Sequence, residues 1–164
     1  VTHRKLAFAD LALPLGHDEF MLKPVIEGRL LQALDIAPTD EVLEIGAGSG
    51  FLTACLGRLA RSVHAIECHA DFVAEAQRRL QALEAANVRL EQGDAATWDT
   101  TLRFDAILVG GAVAELPERF LRWLKPGGRL VLVRGASPVQ EAICLRNDAA
   151  GPRIESLFET DIPY

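Results

Sequence analysis

A glycine-rich segment carries the strongest chemical signal in the sequence. Residues 44–50 read Glu-Ile-Gly-Ala-Gly-Ser-Gly, so a GxGxG pattern follows a short apolar run and precedes a helical one. Glycines at a strand-to-helix turn let the backbone bend sharply and approach a ligand, because no Cβ obstructs it. A plain tight turn is the alternative. The preceding strand, the following helix and an acid further along the chain favour a site for a nucleoside cofactor.

Candidate adenosine contacts follow the next two predicted strands. Glu67 ends the second strand, where a carboxylate can accept hydrogen bonds from both ribose hydroxyls of an adenosine. Asp94 and Ala95 follow the third, where Asp94 can accept from the adenine amino group and Ala95 can offer its backbone amide. Taken alone, Glu67 could be a surface carboxylate and Asp94 part of a strand-ending turn. In series with the glycines, both acids favour an adenosine site.

The glycine spacing also separates two classes of cofactor. A dinucleotide site usually reads GxGxxG and places its phosphates on a helix N-terminus, whereas this loop reads GxGxG. Glu44 precedes the loop, and its carboxylate would repel a pyrophosphate but suits a cationic amino acid. S-adenosyl-L-methionine is therefore favoured over NAD. The predicted cofactor-binding residues are Glu44, Gly46, Ala47, Gly48, Ser49, Gly50, Glu67, Cys68, Asp94, Ala95 and Gly110. Of these, Cys68 is expected beside the adenine and Gly110 at the reactive end of the cofactor.

The elements that must position these residues alternate between strand and helix. The patterns predict strands at 41–45, 62–66, 88–91, 104–109 and 129–133, with helices at 24 to about 35, from 50, at 70–83 and at 117–124. Such alternation requires mostly parallel pairing, right-handed crossovers and helices on both faces. The tail differs, because residues 142–145 and 155–158 flank a turn at 147–151. We expect a doubly wound, Rossmann-like α/β sheet with a C-terminal antiparallel hairpin, and ligands at the carboxyl ends of its strands.

Composition narrows the class of protein further. The 164 residues fit a single domain, residues 1–164, and 17 Lys plus Arg against 23 Asp plus Glu give a net charge of −6. Basic residues are scattered, which argues against nucleic-acid binding, and no apolar stretch approaches the roughly 20 residues that cross a bilayer. Cys55, Cys68 and Cys144 lack disulfide or zinc-ligand spacing, so no metal site is expected. No leader is visible after Val1, and a cytoplasmic location is predicted.

The motifs together resemble class I S-adenosylmethionine-dependent methyltransferases, through residues 44–50, Glu67, 93–95 and 124–130. More narrowly, residues 9–17, the helix opening at Pro24, residues 104–112 and the tail at 162–164 resemble the protein-L-isoaspartate O-methyltransferase family. The likeness runs along almost the whole chain and implies that residues 1–23 form a substrate-side loop region. The N-terminal helical segment that the family usually carries before this region is not seen in the sequence, and what precedes Val1 is left open.

The resemblance implies methyl transfer to the carboxylate of L-isoaspartyl residues in damaged proteins, which starts their repair through a succinimide. The expected partner is then a protein or peptide carboxylate. One departure affects the substrate loop: the family reads G-x-G-Q-T-I-S-x-P, whereas residues 16–24 place Phe20 at the threonine and Leu22 at the serine. No catalytic residue is therefore assigned, and Leu22→Ser is expected to raise activity toward an isoaspartyl acceptor.

Three functions remain open at the level of sequence. The chain could methylate isoaspartyl residues, methylate another acceptor on the same fold, or bind the cofactor without catalysis. A carboxylate acceptor needs no general base, because in-line positioning and desolvation can supply most of the rate. Trp98 is expected either to cover an edge of the cofactor or to pack at the surface. His64 is predicted to pack within its strand, and His69 to lie near the adenosine.

Overall fold

The computed structural model describes residues 6 and 9–162, and the predicted tail motif therefore extends at Pro163 and Tyr164 beyond the described residues. The elements, in chain order, are β1 (Leu13–Gly16), β2 (Glu19–Met21), α1 (Pro24–Leu34), β3 (Glu41–Ile45), α2 (Phe51–Leu59), β4 (Ser62–Glu67), α3 (Ala70–Ala82), β5 (Val88–Gln92), β6 (Phe104–Val113), α4 (Glu118–Arg122), β7 (Leu124–Ala136), β8 (Val139–Asp148) and β9 (Gly151–Thr160).

A seven-stranded sheet forms the centre of the fold, in the order β5-β4-β3-β6-β7-β8-β9. The first five strands of this order, β5-β4-β3-β6-β7, pair in parallel, whereas β8 and β9 are antiparallel to their neighbours. The chain order reverses at β3, which lies between β4 and β6. Ligands of such sheets bind beyond the carboxyl ends of the strands at this reversal, which is where the glycine loop begins.

The predicted fold class is confirmed, including the C-terminal hairpin. Strands β8 and β9 pair antiparallel and close at Asp148 opposite Gly151. The antiparallel region is larger than predicted, because β8 also pairs with β7 along its length. The helix predicted at 117–124 is shorter, since α4 has five residues and β7 begins at Leu124.

The two faces of the sheet are covered unequally. Helices α1, α2 and α3 pack on one face, where Leu30, Leu56 and Leu80 join the apolar side chains of the strands. The other face is covered by Phe120 and Trp123 at α4 and by Trp98 from the loop after β5. We expected helices on both faces, and within the described residues the second face has only α4 together with this loop.

Helix α1 begins at Pro24, whose fixed φ suits a first helical position, and it ends at Asp35 in a left-handed conformation. Its buried stripe consists of Glu27, Leu30 and Leu34, which recur at the i, i+3 and i+7 spacing of one helix face. A glutamate thus occupies a core position. No helix in the described part of the chain is long and apolar enough to span a membrane.

A short hairpin, β1–β2, was not predicted. It forms a two-stranded sheet of its own, with Leu13 opposite Met21 and a turn at His17 and Asp18, both of which have positive φ. Its strands of four and three residues contain Pro14 and are only partly buried, so they lack the regular alternation that marks a strand in a sequence.

Candidate functional site

The glycine loop after β3 is a sharp turn built on left-handed glycines. Gly46, Gly48 and Gly50 have φ values of 82°, 50° and 79°, which residues with a side chain rarely adopt. The N–H groups of Gly46 and Ala47 both donate to the carbonyl oxygen of Ile66, at 2.9 and 3.2 Å. The start of the loop is therefore tied to the end of β4.

The glycines have different neighbours. A Cβ at Gly46 would meet no atom within 4 Å, so this glycine faces open space. A Cβ at Gly50 would lie 2.9 Å from Ala76 Cβ, which means that this glycine lets α2 and α3 approach each other. At Gly110 a Cβ would lie 2.5 Å from the carbonyl oxygen of Gly46. The structure thus brings Gly110 against the loop, where it supports the loop backbone.

Glu67, at the end of β4, is 5% exposed and lies against the glycine loop. Its Oε2 accepts a hydrogen bond from the Gly48 N–H at 2.8 Å, and its Oε1 accepts from the His69 N–H at 2.9 Å. The Cys68 thiol donates to the same Oε1 at 3.4 Å. Burial and the Glu67 carboxylate raise the pKa of Cys68 to about 11, so the thiol is protonated at neutral pH.

Glu44 lies beneath the loop and has no exposed surface. Burial raises its pKa to about 8; the negative charges of Glu67 and Glu27 raise it as well, and the neighbouring Thr53 lowers it. By hydrogen-bond geometry neither carboxylate oxygen of Glu44 has a partner in the described structure, although the buried Thr53 hydroxyl lies close enough to lower the pKa of Glu44. An ionised Glu44 therefore has little of the compensation that a buried charge requires.

Ser49, by contrast, accepts hydrogen bonds from α2 and α3. Its hydroxyl accepts a hydrogen bond from the Phe51 N–H at 3.3 Å, at the start of α2. Its carbonyl oxygen accepts from Arg79 Nη1 at 2.9 Å, which links the loop to α3. The contacts of Ser49 in the structure therefore stabilise the turn.

Asp94 and Ala95 follow β5, beside the end of β4. The Gly93 N–H donates to the carbonyl oxygen of Glu67 at 2.9 Å, which places the two predicted adenosine contacts on adjacent strand ends. Asp94 is exposed, and its Oδ1 accepts from the Ala96 N–H at 2.8 Å. The carbonyl oxygen of Ala95 accepts from Arg119 Nη1 at 2.9 Å.

The aromatic and histidine side chains near these strands have packing roles. Trp98 donates from Nε1 to Glu91 Oε1 at 3.0 Å and lies edge-on to Trp123, so it packs over the second face of the sheet. His64 Nε2 lies 3.1 Å from Glu91 Oε1, with a side chain that is 10% exposed, as the packed interpretation expects.

The β1–β2 hairpin lies over the glycine loop and the start of α3. Leu15 Cδ1 would be 3.2 Å from a Cβ at Gly48, and the His17 ring stacks on His69 with centroids 4.2 Å apart. His17 Nε2 also lies 3.0 Å from Asp71 Oδ2, and this hydrogen bond lowers the pKa of Asp71. Sequence patterns did not predict that the hairpin covers the loop, because its contacts join residues more than 30 positions apart.

The substrate-loop departures lie in different environments. Leu22, at the position of the family serine, is 6% exposed and packs in the core cluster with Leu30 and Leu34. Phe20 is 42% exposed on β2. Leu22 therefore contributes to folding, which adds a stability cost to any polar replacement.

Glu27 is a buried acid that the sequence interpretation did not single out. It is 5% exposed, and burial raises its pKa to about 7. Its backbone N–H donates to the carbonyl oxygen of Lys23 at 3.1 Å, and no hydrogen bond or ion pair of its carboxylate is found among the described residues. The signal in the sequence is a glutamate at the spacing of the apolar stripe of α1.

The absence of a metal site stays a prediction. Within the described residues, Glu67, Cys68 and His69 bring three potential ligand atoms within 4.8 Å of one another. The raised pKa of Cys68 disfavours the thiolate that a metal ion would need at neutral pH.

The fold and the site define a Rossmann-like methyltransferase. A glycine loop at the reversal of strand order, an acid beneath it and acids after the next two strands occupy one edge of the sheet. Glu44, with its two unpartnered oxygens, and the open face of Gly46 fit a ligand with a cationic amino-acid group. The predicted residues are brought together, with Gly110 as a support of the loop.

Comparisons with known proteins give the family. Residues 1–158 match the family model "Protein-L-isoaspartate(D-aspartate) O-methyltransferase (PCMT)". A protein-L-isoaspartate O-methyltransferase of Roseiflexus sp. (strain RS-1) is 36% identical over 157 residues, which cover 95% of this chain and 72% of the relative. One of Methylorubrum populi is 41% identical over 152 residues, covering 92% of this chain and 70% of the relative. The chain therefore belongs to the protein-L-isoaspartate O-methyltransferase family, and the resemblance inferred from its motifs is confirmed.

A solved structure shows the same fold. A Plasmodium falciparum chain described as a protein-L-isoaspartate O-methyltransferase, in complex with S-adenosyl-L-homocysteine, superposes with a TM-score of 0.83 at 20% identity. The match covers 98% of this chain and 82% of that one.

Proposed function

We propose that this chain is an S-adenosylmethionine-dependent methyltransferase that methylates the carboxylate of L-isoaspartyl residues in proteins or peptides. The observation that carries the proposal is the convergence of two buried acids on the glycine loop of a chain in this family. Glu67 reaches the loop by a 2.8 Å hydrogen bond from the Gly48 N–H, and Glu44 lies beneath it without a partner.

The cofactor would be held along the carboxyl edge of the sheet. Glu67 and Asp94 would accept hydrogen bonds from the ribose and adenine, and Glu44 would compensate the ammonium of the amino-acid part. Glu67 Oε2 now accepts from Gly48 N–H, so the ribose hydroxyls would compete with or add to that contact. When bound, S-adenosylmethionine supplies an activated methyl group on a sulfonium. Cys68 and Ser49 lie beside these contacts, and their binding roles are part of the proposal.

The chain's contribution to the reaction is positioning and the exclusion of water. A carboxylate acceptor is already a nucleophile, so no proton has to be removed and no base is assigned. The β1–β2 hairpin lies over the loop through Leu15 and the stacked rings of His17 and His69. We propose that this hairpin bounds the space where the acceptor meets the methyl donor, in agreement with a substrate-side role for residues 1–23.

A second acceptor class is favoured by two observations. The hydroxyl of the family serine is replaced by Leu22, which packs in the core. The turn of the hairpin presents the exposed Asp18, and β2 presents the partly buried Glu19, both of which would repel a carboxylate. Methylation of a neutral acceptor, or binding of the cofactor without catalysis, is the alternative. For either acceptor we propose a role in the cytoplasm, without nucleic acid; for isoaspartyl acceptors the role is protein repair.

The test is methyl transfer from labelled S-adenosylmethionine to an isoaspartyl peptide, with the aspartyl peptide of the same sequence as the control. Transfer to the isoaspartyl peptide alone supports the proposal. Glu67→Ala should weaken binding of S-adenosylhomocysteine by roughly 1 to 3 kcal/mol, the range of charge-assisted hydrogen bonds. Cofactor binding without transfer to either peptide would favour another acceptor, and a preference for NAD would contradict the proposed cofactor.

A further inference from the structure

The loop after β5 is held by an arginine of α4. Arg119 Nη1 donates to the carbonyl oxygen of Ala95 at 2.9 Å, and it also donates to that of Ala96. Its guanidinium lies over the ring of Trp123, with Cζ 5.9 Å from the ring centroid, and Trp123 is 1% exposed. Arg119 is therefore fixed between a buried ring and two carbonyl groups of the loop that carries Asp94.

One peptide group connects Arg119 to the Asp94 carboxylate. The Ala95 carbonyl that accepts from Arg119 belongs to the same planar peptide group as the Ala96 N–H. That N–H donates to Asp94 Oδ1 at 2.8 Å, so both ends of the peptide group are held. If the Ala95 carbonyl turned away, the Ala96 N–H would turn with it, and Asp94 would lose this contact. The arginine thus acts on the carboxylate through the backbone.

The other contacts of the loop do not fix this peptide group. The N–H groups of Thr97 and Trp98 both donate to the carbonyl oxygen of Asp94, at 2.9 and 2.6 Å, and these bonds close the turn. Neither bond reaches the peptide group between residues 95 and 96. Among the described residues, the hydrogen bond found to the carbonyl of that group comes from Arg119 alone.

Asp94 keeps one carboxylate oxygen for a ligand. Its Oδ1 accepts from the Ala96 N–H, and no hydrogen bond to its Oδ2 is found in the described part of the chain. Asp94 is exposed and follows β5, where the Gly93 N–H donates to the carbonyl oxygen of Glu67 at 2.9 Å. A carboxylate that is fixed by one oxygen presents the other in a defined direction. Such an oxygen distinguishes an amino group, which donates, from a carbonyl group, which accepts.

We infer that Arg119 is a positioning residue for base selectivity: by holding the Ala95 carbonyl, it directs Asp94 Oδ2 toward the exocyclic amino group of the cofactor's adenine. The inference rests on the proposed function, in which Asp94 accepts a hydrogen bond from the adenine, and it adds a residue of α4 that acts through the backbone. A base with an oxygen in place of that amino group would present an acceptor to the carboxylate, which repels it. Selectivity for adenine over such a base therefore depends on Arg119.

The test compares two ligands that differ only in the base, S-adenosylhomocysteine and S-inosylhomocysteine, in which an oxo group replaces the adenine amino group. Calorimetric titration of the full chain should show a preference of roughly tenfold or more for the adenosyl ligand, the scale of one hydrogen bond to a charged group. Asp94→Asn, whose amide can donate to the oxo group, should remove or invert this preference. That variant defines the complete loss of base selectivity.

The variant Arg119→Met keeps a long apolar side chain and removes the hydrogen-bond donors. It should weaken S-adenosylhomocysteine roughly five- to tenfold and change S-inosylhomocysteine by less than about twofold, so that the preference approaches that of Asp94→Asn. Arg119→Lys keeps a donor and should recover part of the preference. Arg122→Met removes an exposed arginine of the same helix and is the matched control, with the preference of the unmodified chain.

A measurement without ligand checks the backbone link directly. In Arg119→Met, NMR should show faster hydrogen exchange at the Ala96 amide, because its N–H is no longer held on Asp94 Oδ1. The amides of Thr97 and Trp98 should keep their exchange rates, since their bonds close the turn itself. Circular dichroism checks the fold, and if the methionine variant is unfolded, Arg119→Ala takes its place in the same comparisons.

The outcomes separate this inference from the proposed function. If the unmodified chain binds neither S-adenosylhomocysteine nor S-adenosylmethionine, the proposed function fails. If it binds the adenosyl and inosyl ligands equally, or if Arg119→Met keeps the full preference for adenine, the inference is overturned while the proposed function stands. Equal losses of both ligands in Arg119→Met, with unchanged exchange at Ala96, would show a purely structural role and would also overturn the inference.

Discussion

The two ends of the parallel strands differ in how their buried charges are paired. At the amino ends, Arg129 is 9% exposed and donates to Asp40 Oδ2 at 2.6 Å and to the carbonyl oxygen of Asp35 at 2.6 Å. It also donates from Nε to the carbonyl oxygen of Leu34, at the end of α1. This network fastens α1 to the strands, because every branch of the guanidinium has a partner.

Lys125 continues the pairing at the same end. Its Nζ lies 2.8 Å from Glu41 Oε2 and 2.8 Å from Asp105 Oδ2. Although burial opposes it, hydrogen bonds from the Glu41 N–H and from Lys125 lower the pKa of Asp105. At the carboxyl ends, none of the hydrogen bonds found for the buried acids of the described residues comes from a cation: Glu67 accepts from the N–H groups of Gly48 and His69, and neither oxygen of Glu44 has a partner by hydrogen-bond geometry. The difference indicates that the amino ends hold the fold together, whereas the carboxyl ends keep unused binding capacity for a ligand.

The largest effect is expected from breaking the paired end. Arg129→Met leaves the buried Asp40 carboxylate with the Ala37 N–H but without its cation, and we expect the free energy of unfolding to fall by about 3–5 kcal/mol. Urea denaturation at pH 7 measures this loss. The control is Arg153→Met, which removes a 3.7 Å ion pair between exposed side chains and should cost less than about 1 kcal/mol. Equal losses in the two variants would contradict the structural role of the buried network.

Leu22 tests whether the family serine position belongs to the core or to the site. Leu22→Ala and Leu22→Ser should both lose roughly 2–5 kcal/mol of stability, because each leaves a cavity beside Leu30 and Leu34. Transfer to an isoaspartyl peptide is then compared at a temperature where both variants are folded. We expect a roughly tenfold gain in the serine variant over the alanine variant, the scale of one hydrogen bond to a charged group. Equal activities would show that the hydroxyl is dispensable.

Glu44→Gln tests the carboxyl end of the strands, where the buried charge has no cation and should lower the stability of the fold. The folded-state pKa of Glu44, about 8, lies above its usual value of 4.5, so the folded chain binds more protons than the unfolded chain in this window. Stability without ligand should therefore fall as the pH rises from about 5 to 8, by an amount on the order of a few kcal/mol. Thermal melts across this range should be flatter for Glu44→Gln. Parallel curves for the two proteins would indicate that Glu44 does not titrate there.

Comparing valine variants of Gly48 and Gly127 distinguishes the effect of backbone strain from the effect of blocking the approach of a ligand. Gly48→Val and Gly127→Val both place a side chain at positive φ, which costs roughly 1–2 kcal/mol or more in stability. Only Gly48 lies in the loop, so only its variant should abolish binding of S-adenosylhomocysteine. Calorimetry and circular dichroism on the same samples decide this. A binding loss in both variants, or an unfolded Gly48 variant, would favour the plain-turn interpretation.

The smallest effect is expected at the hairpin. His17→Ala removes an exposed ion pair and a ring stack, so the melting temperature should change less than in any variant above. It should, however, return the pKa of Asp71 toward its usual value, since the His17 hydrogen bond lowers it. An NMR titration of the Asp71 carboxyl measures the change. An unaltered titration would show that the hairpin does not rest on α3 in solution.

Local sequence patterns were sufficient to predict most strands of the parallel sheet. The strand at 41–45 has the bounds that its apolar run predicts, because a buried strand and its glycine stop are encoded in consecutive residues. The β1–β2 hairpin escaped prediction because its strands are short, partly exposed and held by contacts from distant parts of the chain. The pairing of β8 with β7 was missed for a related reason, since strand partners are chosen by the sheet as a whole.

The sequence by itself determined the family, the glycine loop and the order of strands and helices from Pro24 onward, because each depends on residue type at fixed spacing. It also identified Glu44 and Glu67 as acids beside the loop. Only the tertiary structure decided that Leu22 faces the core, that Gly110 supports the loop, and that Glu27 of α1 is buried. Burial and pairing depend on which elements pack together, and the groups of α2 and β4 that act on Glu44, Thr53 and Glu67, come near it only after the chain has folded.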